Sequence, residues 1–297
     1  MSDNREPVGI LLIDKESGWT SFDVCAKLRS ILKTKKIGHA GTLDPMATGL
    51  MTVLVGGATK AADILPLSDK RYLAAFKLGV VTDTLDITGS IIKEEYCEID
   101  EENLLSAMEN FKGEIMQLPP MYSAVHVDGQ RLYELARKGI EVEREARKVE
   151  ILHLELVSFD EESCEGQLDV ICSKGTYIRS LVADIGDALG CGAVLTALRR
   201  TEACGFSVND AAKIEEIKDD IFNKIIPVDK AFESCKAINI TSAQMTRYKN
   251  GGDLMAERLK LNGTNPKDGE IFRVYCDEFI GLGKFSDGSL RPWKRLT

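Results

Sequence analysis

The chain has no C-x-x-C pair: its eight cysteines (Cys25, Cys97, Cys164, Cys172, Cys191, Cys204, Cys235, Cys276) are scattered singly. With only three histidines it also lacks any zinc-ligand spacing, so no metal site is expected. Scattered single cysteines read as free thiols, the pattern of a reducing cytoplasm. No run of about 18 apolar residues occurs, which argues against a membrane-spanning helix. The opening Met-Ser-Asp-Asn-Arg-Glu-Pro has no apolar stretch, which argues against a secretory leader. Neither G-x-G-x-x-G nor a Walker Gly-Lys-Ser/Thr is present, so a nucleotide-cofactor loop is not indicated. Internal repeats and low-complexity tracts are missing as well.

What remains is an ordinary globular composition, 44% hydrophobic and 29% charged over 297 residues, enough for a full core and two domains. The net charge of −9 is unevenly spread, and the distribution says more than the sum. Acid gathers in 83–114, 155–165 and 210–233. Base gathers in 24–36, in 131–148 and at Arg199 and Arg200. Such a surface repels phosphate on one side and guides it to the other, a pattern compatible with RNA.

Residues 37–50, Ile-Gly-His-Ala-Gly-Thr-Leu-Asp-Pro-Met-Ala-Thr-Gly-Leu, carry one carboxylate, Asp44, among small residues. Glycines at 38, 41 and 49 permit close approach of the backbone to a ligand. Upstream, residues 24–43 hold five cations (Lys27, Arg29, Lys33, Lys35, Lys36) and no acid. A lone carboxylate beside a cationic approach suits chemistry on a polyanion. The plainer alternative is a helix start, with Asp44 as N-cap and Pro45 at the first helical position.

Hydrophobic patterning predicts a buried strand over 9–13 and then a helix over about 22–33, capped by Thr20 or Ser21. Phe22, Cys25, Leu28 and Leu32 are placed on its apolar stripe. The run 51–55 reads as a strand or the end of a short helix. Further strands are expected at 73–79, 149–157 and 166–172, with Leu152, Leu154 and Leu156 sharing one face. A helix follows over about 177–189. Strands outnumber clean crossover helices, which favours a mixed α+β sheet over a doubly wound one. Residues 115–148 stand apart. Pro119-Pro120 breaks the chain, and a helix over about 130–138 leads into a charge-mixed stretch. There Arg131, Arg137, Lys138, Arg144, Arg147 and Lys148 alternate with Glu134, Glu141, Glu143 and Glu145. Such a stretch reads as a solvated face or, more sharply, as an insertion folding over a ligand. After about 235 short β-like pieces such as 279–285 suggest a small strand-rich module.

Several separated motifs together resemble the TruB-type tRNA pseudouridine synthases, across about 8–232. Gly38-His39-Ala40-Gly41-Thr42-Leu43-Asp44-Pro45-Met46-Ala47-Thr48-Gly49-Leu50 is similar to the family's catalytic loop. Lys174-Gly175-Thr176-Tyr177-Ile178-Arg179-Ser180 is similar to its second signature. Asp14-Lys15-Glu16-Ser17-Gly18-Trp19-Thr20-Ser21 follows the opening motif, with Glu16 where the family usually has Pro. Lys70-Arg71-Tyr72, Thr82-Asp83-Thr84 with Asp86, and Leu198-Arg199-Arg200 extend the match. Pro119-Pro120-Met121-Tyr122-Ser123-Ala124 opens the insertion in the family's manner, with His126 where Lys is common.

The resemblance implies a pseudouridine synthase fold: a mixed, mainly antiparallel sheet flanked by helices in residues 1–235, carrying a thumb-like insertion at about 115–148. A small all-β PUA-like RNA-binding domain would occupy 236–297. By resemblance the chain isomerises uridine 55 of the tRNA T-loop without a cofactor, as a monomer needing no protein partner. Asp44, Tyr72 and Arg179 take the catalytic roles. Asp44 would add to the base, trap C1′ or remove the C2′ proton, Arg179 would pair with it, and Tyr72 would stack on uracil or handle the C5 proton. His39 would sit beside the displaced nucleotides, and Tyr177 and Leu198 would line the pocket, Leu198 otherwise being core. Lys15 reads as a phosphate contact, a loop support or a structural salt bridge. Two alternatives stay open: a tRNA-folding chaperone with secondary catalysis, and a synthase guided by a separate RNA.

Overall fold

A computed structural model describes residues 6–123, 126–127, 129–136, 138–140, 142–261 and 265–297. The expectations placed on residues 1–5, Ala124, Arg137 and Glu141, and on the side chains of His126, Arg131 and Glu134, lie outside what is described.

Seven strands of a nine-stranded sheet lie in the spatial order Gly9–Lys15, Thr48–Val55, Ala193–Ala203, Lys70–Leu78, Glu165–Cys172, Arg147–Asp160, Gly113–Gln117. Short strands Ile37–His39 and Phe206–Ser207 pair onto Thr48–Val55 and Ala193–Ala203. Thr48–Val55 runs parallel to Ala193–Ala203; the other pairings are antiparallel. The mixed, mainly antiparallel α+β expectation holds.

The continuous apolar runs of the first two strands follow from burial on both faces. Leu11, Ile13, Met51 and Val53 pack against Val24, Cys25, Leu28 and Leu32 of helix Ser21–Leu32. Ile10, Leu12, Leu50 and Leu54 fill a second cluster on the opposite face. Each fully buried Leu or Ile there contributes about 1.5–3 kcal/mol. The helix begins in a capping box: Thr20 accepts from the Asp23 N–H, and Asp23 accepts from the Thr20 N–H at 2.9 Å. Phe22 corrects the expected stripe. It is 69% exposed, under the Arg29 guanidinium, while Val24 takes the inward position.

In the central strand Tyr72, Ala74, Phe76 and Leu78 alternate inward. Helix Ile178–Ala188 drops Ile178, Leu181, Val182 and Ile185 onto that face, and Leu104 and Met108 of helix Glu101–Glu109 join them. The expected inward face of 149–157 needs a second correction. The register slips between Ile151 and His153, so Val149 and Ile151 point inward before the slip and Leu154 after it, leaving Leu152 in solvent. A bulge resets the two-residue period that a plain alternation count assumes. In the 115–148 segment the helix covers Leu132–Ala136, shorter than expected.

Residues 236–294 form a five-stranded sheet, ordered Lys236–Asn239, Ile271–Cys276, Glu278–Ser286, Ser289–Lys294, Leu254–Met255, around Ile238, Phe272, Val274 and Leu290. Its end docks on the larger sheet: Leu296 is fully buried in one cluster with Ile10 and Leu54. A side chain at Gly57 would meet the Leu296 carbonyl at 2.6 Å, so the contact requires glycine.

Candidate active site

The loop carrying Asp44 is fixed through its backbone. Between strands Ile37–His39 and Thr48–Val55 the chain must reverse, and it does so in a turn in which the Ala47 N–H donates to the Asp44 carbonyl at 3.1 Å. Pro45 supplies the φ that the first inner turn position favours. No helix starts at Asp44, which corrects the N-cap reading: the chain re-enters a strand at Thr48. Gly49 sits at φ +99° with room for no Cβ, which would lie 2.2 Å from the Arg200 carbonyl on the parallel neighbour.

Behind the turn stand two buried cations with carbonyls as their partners. Lys15, 1% exposed, donates to the carbonyls of Trp19 (2.6 Å), Glu16 (3.0 Å) and Pro45 (3.2 Å). Burial lowers its ammonium pKa to about 8, against the pull of Asp44. Arg200, fully buried, donates to the carbonyls of Leu50 (2.7 Å), Thr42 (3.2 Å) and Gly41 (3.2 Å). The Ser21 hydroxyl accepts from the Leu43 N–H at 2.9 Å and donates to the Leu43 carbonyl at 3.2 Å. The ammonium of Lys15 thus lies inside the protein, bonded to the carbonyls that its loop-supporting alternative calls for.

Arg179, the second residue of helix Ile178–Ala188, arrives from the other side. Its Nε lies 2.9 Å from Asp44 Oδ2 and 3.7 Å from Asp86 Oδ2. Nη1 donates to the Thr84 carbonyl at 3.0 Å and Nη2 to the Tyr122 carbonyl at 2.9 Å. Arg179 is 4% exposed and the Asp86 side chain 6%, whereas the Asp44 side chain keeps 33%. Of the three charges, Asp44 is the one a ligand can reach. Burial pushes the Asp44 carboxyl above its ordinary range, Arg179 pulls it back, and Asp86 adds to the push.

The sequence reading passed over Asp86 as a functional residue. Its Oδ1 accepts from the Thr84 hydroxyl (2.9 Å), the Thr88 N–H (3.0 Å) and the Thr88 hydroxyl (2.5 Å). The turn is held to strand Ala193–Ala203 through the Leu195 and Ile87 backbones. The run Thr-Asp-Thr-x-Asp-x-Thr is the available signal, since such residues bond locally and free one carboxylate oxygen for a partner.

Tyr72 lies on the central strand opposite Arg200, 6% exposed and clustered with Leu43, Ala47 and Leu198. Burial raises its phenol pKa and the Arg200 charge opposes, so the hydroxyl stays protonated at neutral pH. Leu198 is 7% exposed, and its carbonyl accepts from the Thr48 hydroxyl. Tyr177, half-buried, is the N-cap of the Arg179 helix. His39 pairs with Val53 through the backbone and carries a buried, unpartnered Nδ1. Burial and Arg200 lower its pKa, which keeps it neutral. The structure thus joins Asp44 to Arg179, and Tyr72 to Leu198 and to the Leu43 and Ala47 flanks of the Asp44 turn. It ties His39 to the Thr48–Val55 strand instead.

Residues 29–178 match a family model described as TruB family pseudouridylate synthase (N terminal domain). Residues 179–233 match one described as tRNA pseudouridylate synthase B C-terminal domain. Their boundary falls between Ile178 and Arg179, inside one helix, so both matches belong to the larger sheet. The tRNA pseudouridine synthase B of Clostridium tetani is 44% identical over 292 residues, covering 97% of this chain and 99% of its own. That of Chromobacterium violaceum is 42% identical over 304 residues, covering 100% and 97%. Among solved structures, a chain of a Cbf5-Nop10-Gar1 complex aligns with a TM-score of 0.73 at 25% identity, over 97% of this chain and 85% of its own. A chain of an H/ACA RNP bound to a substrate RNA aligns with a TM-score of 0.72 at 23% identity and the same coverage.

Proposed function

Because the chain belongs to the TruB family of pseudouridylate synthases, we propose that it converts uridine 55 of the tRNA T-loop to pseudouridine, acting alone. The coarser activity, tRNA pseudouridylation by an isomerase, comes with the family and with relatives matched over nearly their full length. The observation that carries the finer reading is the reachable Asp44 carboxylate held 2.9 Å from a buried guanidinium.

The reaction breaks the bond from uracil N1 to C1′, turns the base and joins C5 to C1′, after which the C5 proton leaves. Electrons balance within one nucleoside, so no redox cofactor is needed. An ionised carboxylate serves each available route, whether it adds to the base, traps C1′ or removes the C2′ proton. Arg179 supports that ionised state against the burial that opposes it. The target uridine is stacked in the T-loop and must be flipped out, at a cost of a few kcal/mol. Stacking on Tyr72 offsets roughly 1–3 kcal/mol of it. In this reading Tyr177 and Leu198 line the base pocket, His39 meets the displaced nucleotides, and the 115–148 insertion closes over the stem-loop. The 236–294 sheet acts as a PUA-like RNA contact, and the protein works as a cytoplasmic monomer.

The structural neighbours within ribonucleoprotein complexes favour one second reading, a synthase that needs partner proteins and a guide RNA. One assay separates the readings. The purified chain is given a bare T-arm hairpin labelled with tritium at uridine C5, and tritium release is followed. Release confined to uridine 55 supports the stand-alone enzyme, and none at all rejects it. Asp44→Asn should bind the hairpin normally and lose about 10²–10⁴-fold in rate, the range for a lost acid–base group. Parental turnover by that variant would remove Asp44 from the chemistry.

A further inference from the structure

Side chains join the root of the insertion to the active-site helix, and Gln117 makes two of the bonds. Gln117 closes edge strand Gly113–Gln117 and is 2% exposed. Its Oε1 accepts from the Tyr177 N–H at 2.7 Å, and its Nε2 donates to the Tyr177 carbonyl at 3.0 Å. Both ends of the carboxamide are spent on one backbone unit, as a rung between strands would be. Tyr177 has extended backbone angles (φ −104°, ψ 110°) and makes no side-chain cap of its own. The start of the helix therefore takes its support from Gln117.

Two neighbouring contacts repeat the pattern. The Ser180 hydroxyl donates to the Leu118 carbonyl at 3.2 Å, and Arg179 Nη2 donates to the Tyr122 carbonyl at 2.9 Å. Residues 177, 179 and 180 thus grip residues 117, 122 and 118, where the insertion leaves the sheet. From the returning arm, Arg144 Nη1 donates to the Pro119 carbonyl at 3.1 Å. We propose that Gln117 is a positioning residue for the reaction: it couples the 117–122 root of the insertion to Tyr177 and Arg179, so that a shift of this root is felt at the Asp44 pair. This deepens the synthase reading and rests on it for the rate assay alone.

The carboxamide is the group the contact requires. It offers an acceptor and a donor side by side, where a carboxylate offers acceptors only. Gln117→Glu should therefore set a negative oxygen against the Tyr177 carbonyl when ionised. When protonated, the acid regains a donor of nearly the same shape. Burial will raise the pKa of that carboxyl, which brings its titration toward neutral pH.

The test uses the full chain and the C5-tritiated T-arm hairpin in single turnover at saturating RNA, from pH 5.5 to 8. The rate of Gln117→Glu relative to the parent should rise about tenfold on acidification as the donor returns. Gln117→Met should be slower by up to about 100-fold at every pH, the scale of a small misplacement, with hairpin affinity held within threefold. Amide exchange in 177–182, compared with the parent at equal pH, should quicken in the Met variant, and in the Glu variant only at the alkaline end. A pH-independent Glu-to-parent ratio, a parental rate for Gln117→Met, or unaltered exchange in 177–182 would overturn the assignment. Should Gln117→Met fail to fold, the Glu variant at pH 5.5 and 8 decides alone. Should the parent release no tritium, the T-arm reading falls, and exchange in 177–182 still judges the coupling.

Discussion

The two sides of the Asp44–Arg179 pair are built by opposite means. On the Asp44 side an acid stands at the front and two buried cations, Lys15 and Arg200, hold the backbone carbonyls behind it. On the Arg179 side a cation stands at the front, and a buried acid with two carbonyls holds it from behind. The exposures differ accordingly, 33% for the Asp44 side chain against 4% for Arg179. One side presents a reactive group on a rigid turn, and the other supplies a fixed field. Around Asp44, Arg179 and Lys15 oppose, without cancelling, the burial and the Asp86 charge that push its carboxyl up.

Breaking the fixed side should have the largest effect. Arg179→Gln removes the cation that lowers the Asp44 pKa, so its carboxyl should titrate higher still. The single-turnover rate should fall about 10²–10³-fold at neutral pH, as for a lost stabilising donor. Its acid limb should move to higher pH than in the parent. An acid limb that stays put would mean that another group governs the rate. The variant should also unfold more readily, because two carboxylates then share a buried site without their counter-charge. Removing one partner of a buried pair typically costs about 3–5 kcal/mol, read here from urea midpoints.

The Asp44 side is sharpened through Lys15. Its ammonium titrates at about 8 in the fold, against an ordinary 10.5. Between those values the unfolded chain keeps a proton that the folded chain has released. Stability attributable to Lys15 therefore grows as pH rises through this window and is lower beneath it. Subtracting the Lys15→Met stability curve from that of the parent should expose the rise. A difference that is constant from pH 7 to 10.5 would show that Lys15 is not held in this way.

The same contrast explains what could be read from the chain beforehand. Strands Gly9–Lys15 and Lys70–Leu78 and helix Ser21–Leu32 were legible, because burial pattern and capping residues are local. Asp44 and Arg179 were legible through two motifs, although nothing in either motif states that they meet. The misreadings have physical causes. Asp44-Pro45 serves a turn as well as a helix start, and only the strand that follows decides between them. The slip after Ile151 reverses the face of Leu152, and Phe22 yields its inward place to Val24. The alternatives for Lys15, phosphate contact, loop support or salt bridge, stayed open because its carbonyl partners, Pro45 among them, are backbone atoms without a sequence signature. Gln117 escaped notice, and Asp86 was matched without a role at the site, for a related reason: each meets a partner brought near only when the sheet closes.

The smallest effect concerns the cations of 24–36, outside the pair altogether. The sequence treats Lys27, Arg29, Lys33, Lys35 and Lys36 as equivalent, and the structure separates them. Lys27 pairs with Glu215 at 3.4 Å, Lys36 pairs with Glu6 at 3.2 Å, and Arg29 donates to the Ile37 carbonyl over Phe22. Among the described residues, Lys33 and Lys35 are exposed and have no ion-pair partner. Exposed ion pairs are worth about 0–1 kcal/mol, so Lys27 and Lys36 keep part of their reach, but the two unpaired lysines carry the argument. Lys33→Ala with Lys35→Ala should weaken hairpin binding and reduce the slope of log affinity against log salt by about 0.7–0.9 for each phosphate no longer neutralised. The rate at saturating RNA should stay at the parental value, since neither residue touches the Asp44 turn. A slope equal to the parent's would turn this face away from the RNA and leave the insertion and the 236–294 sheet as the surfaces that hold the stem-loop.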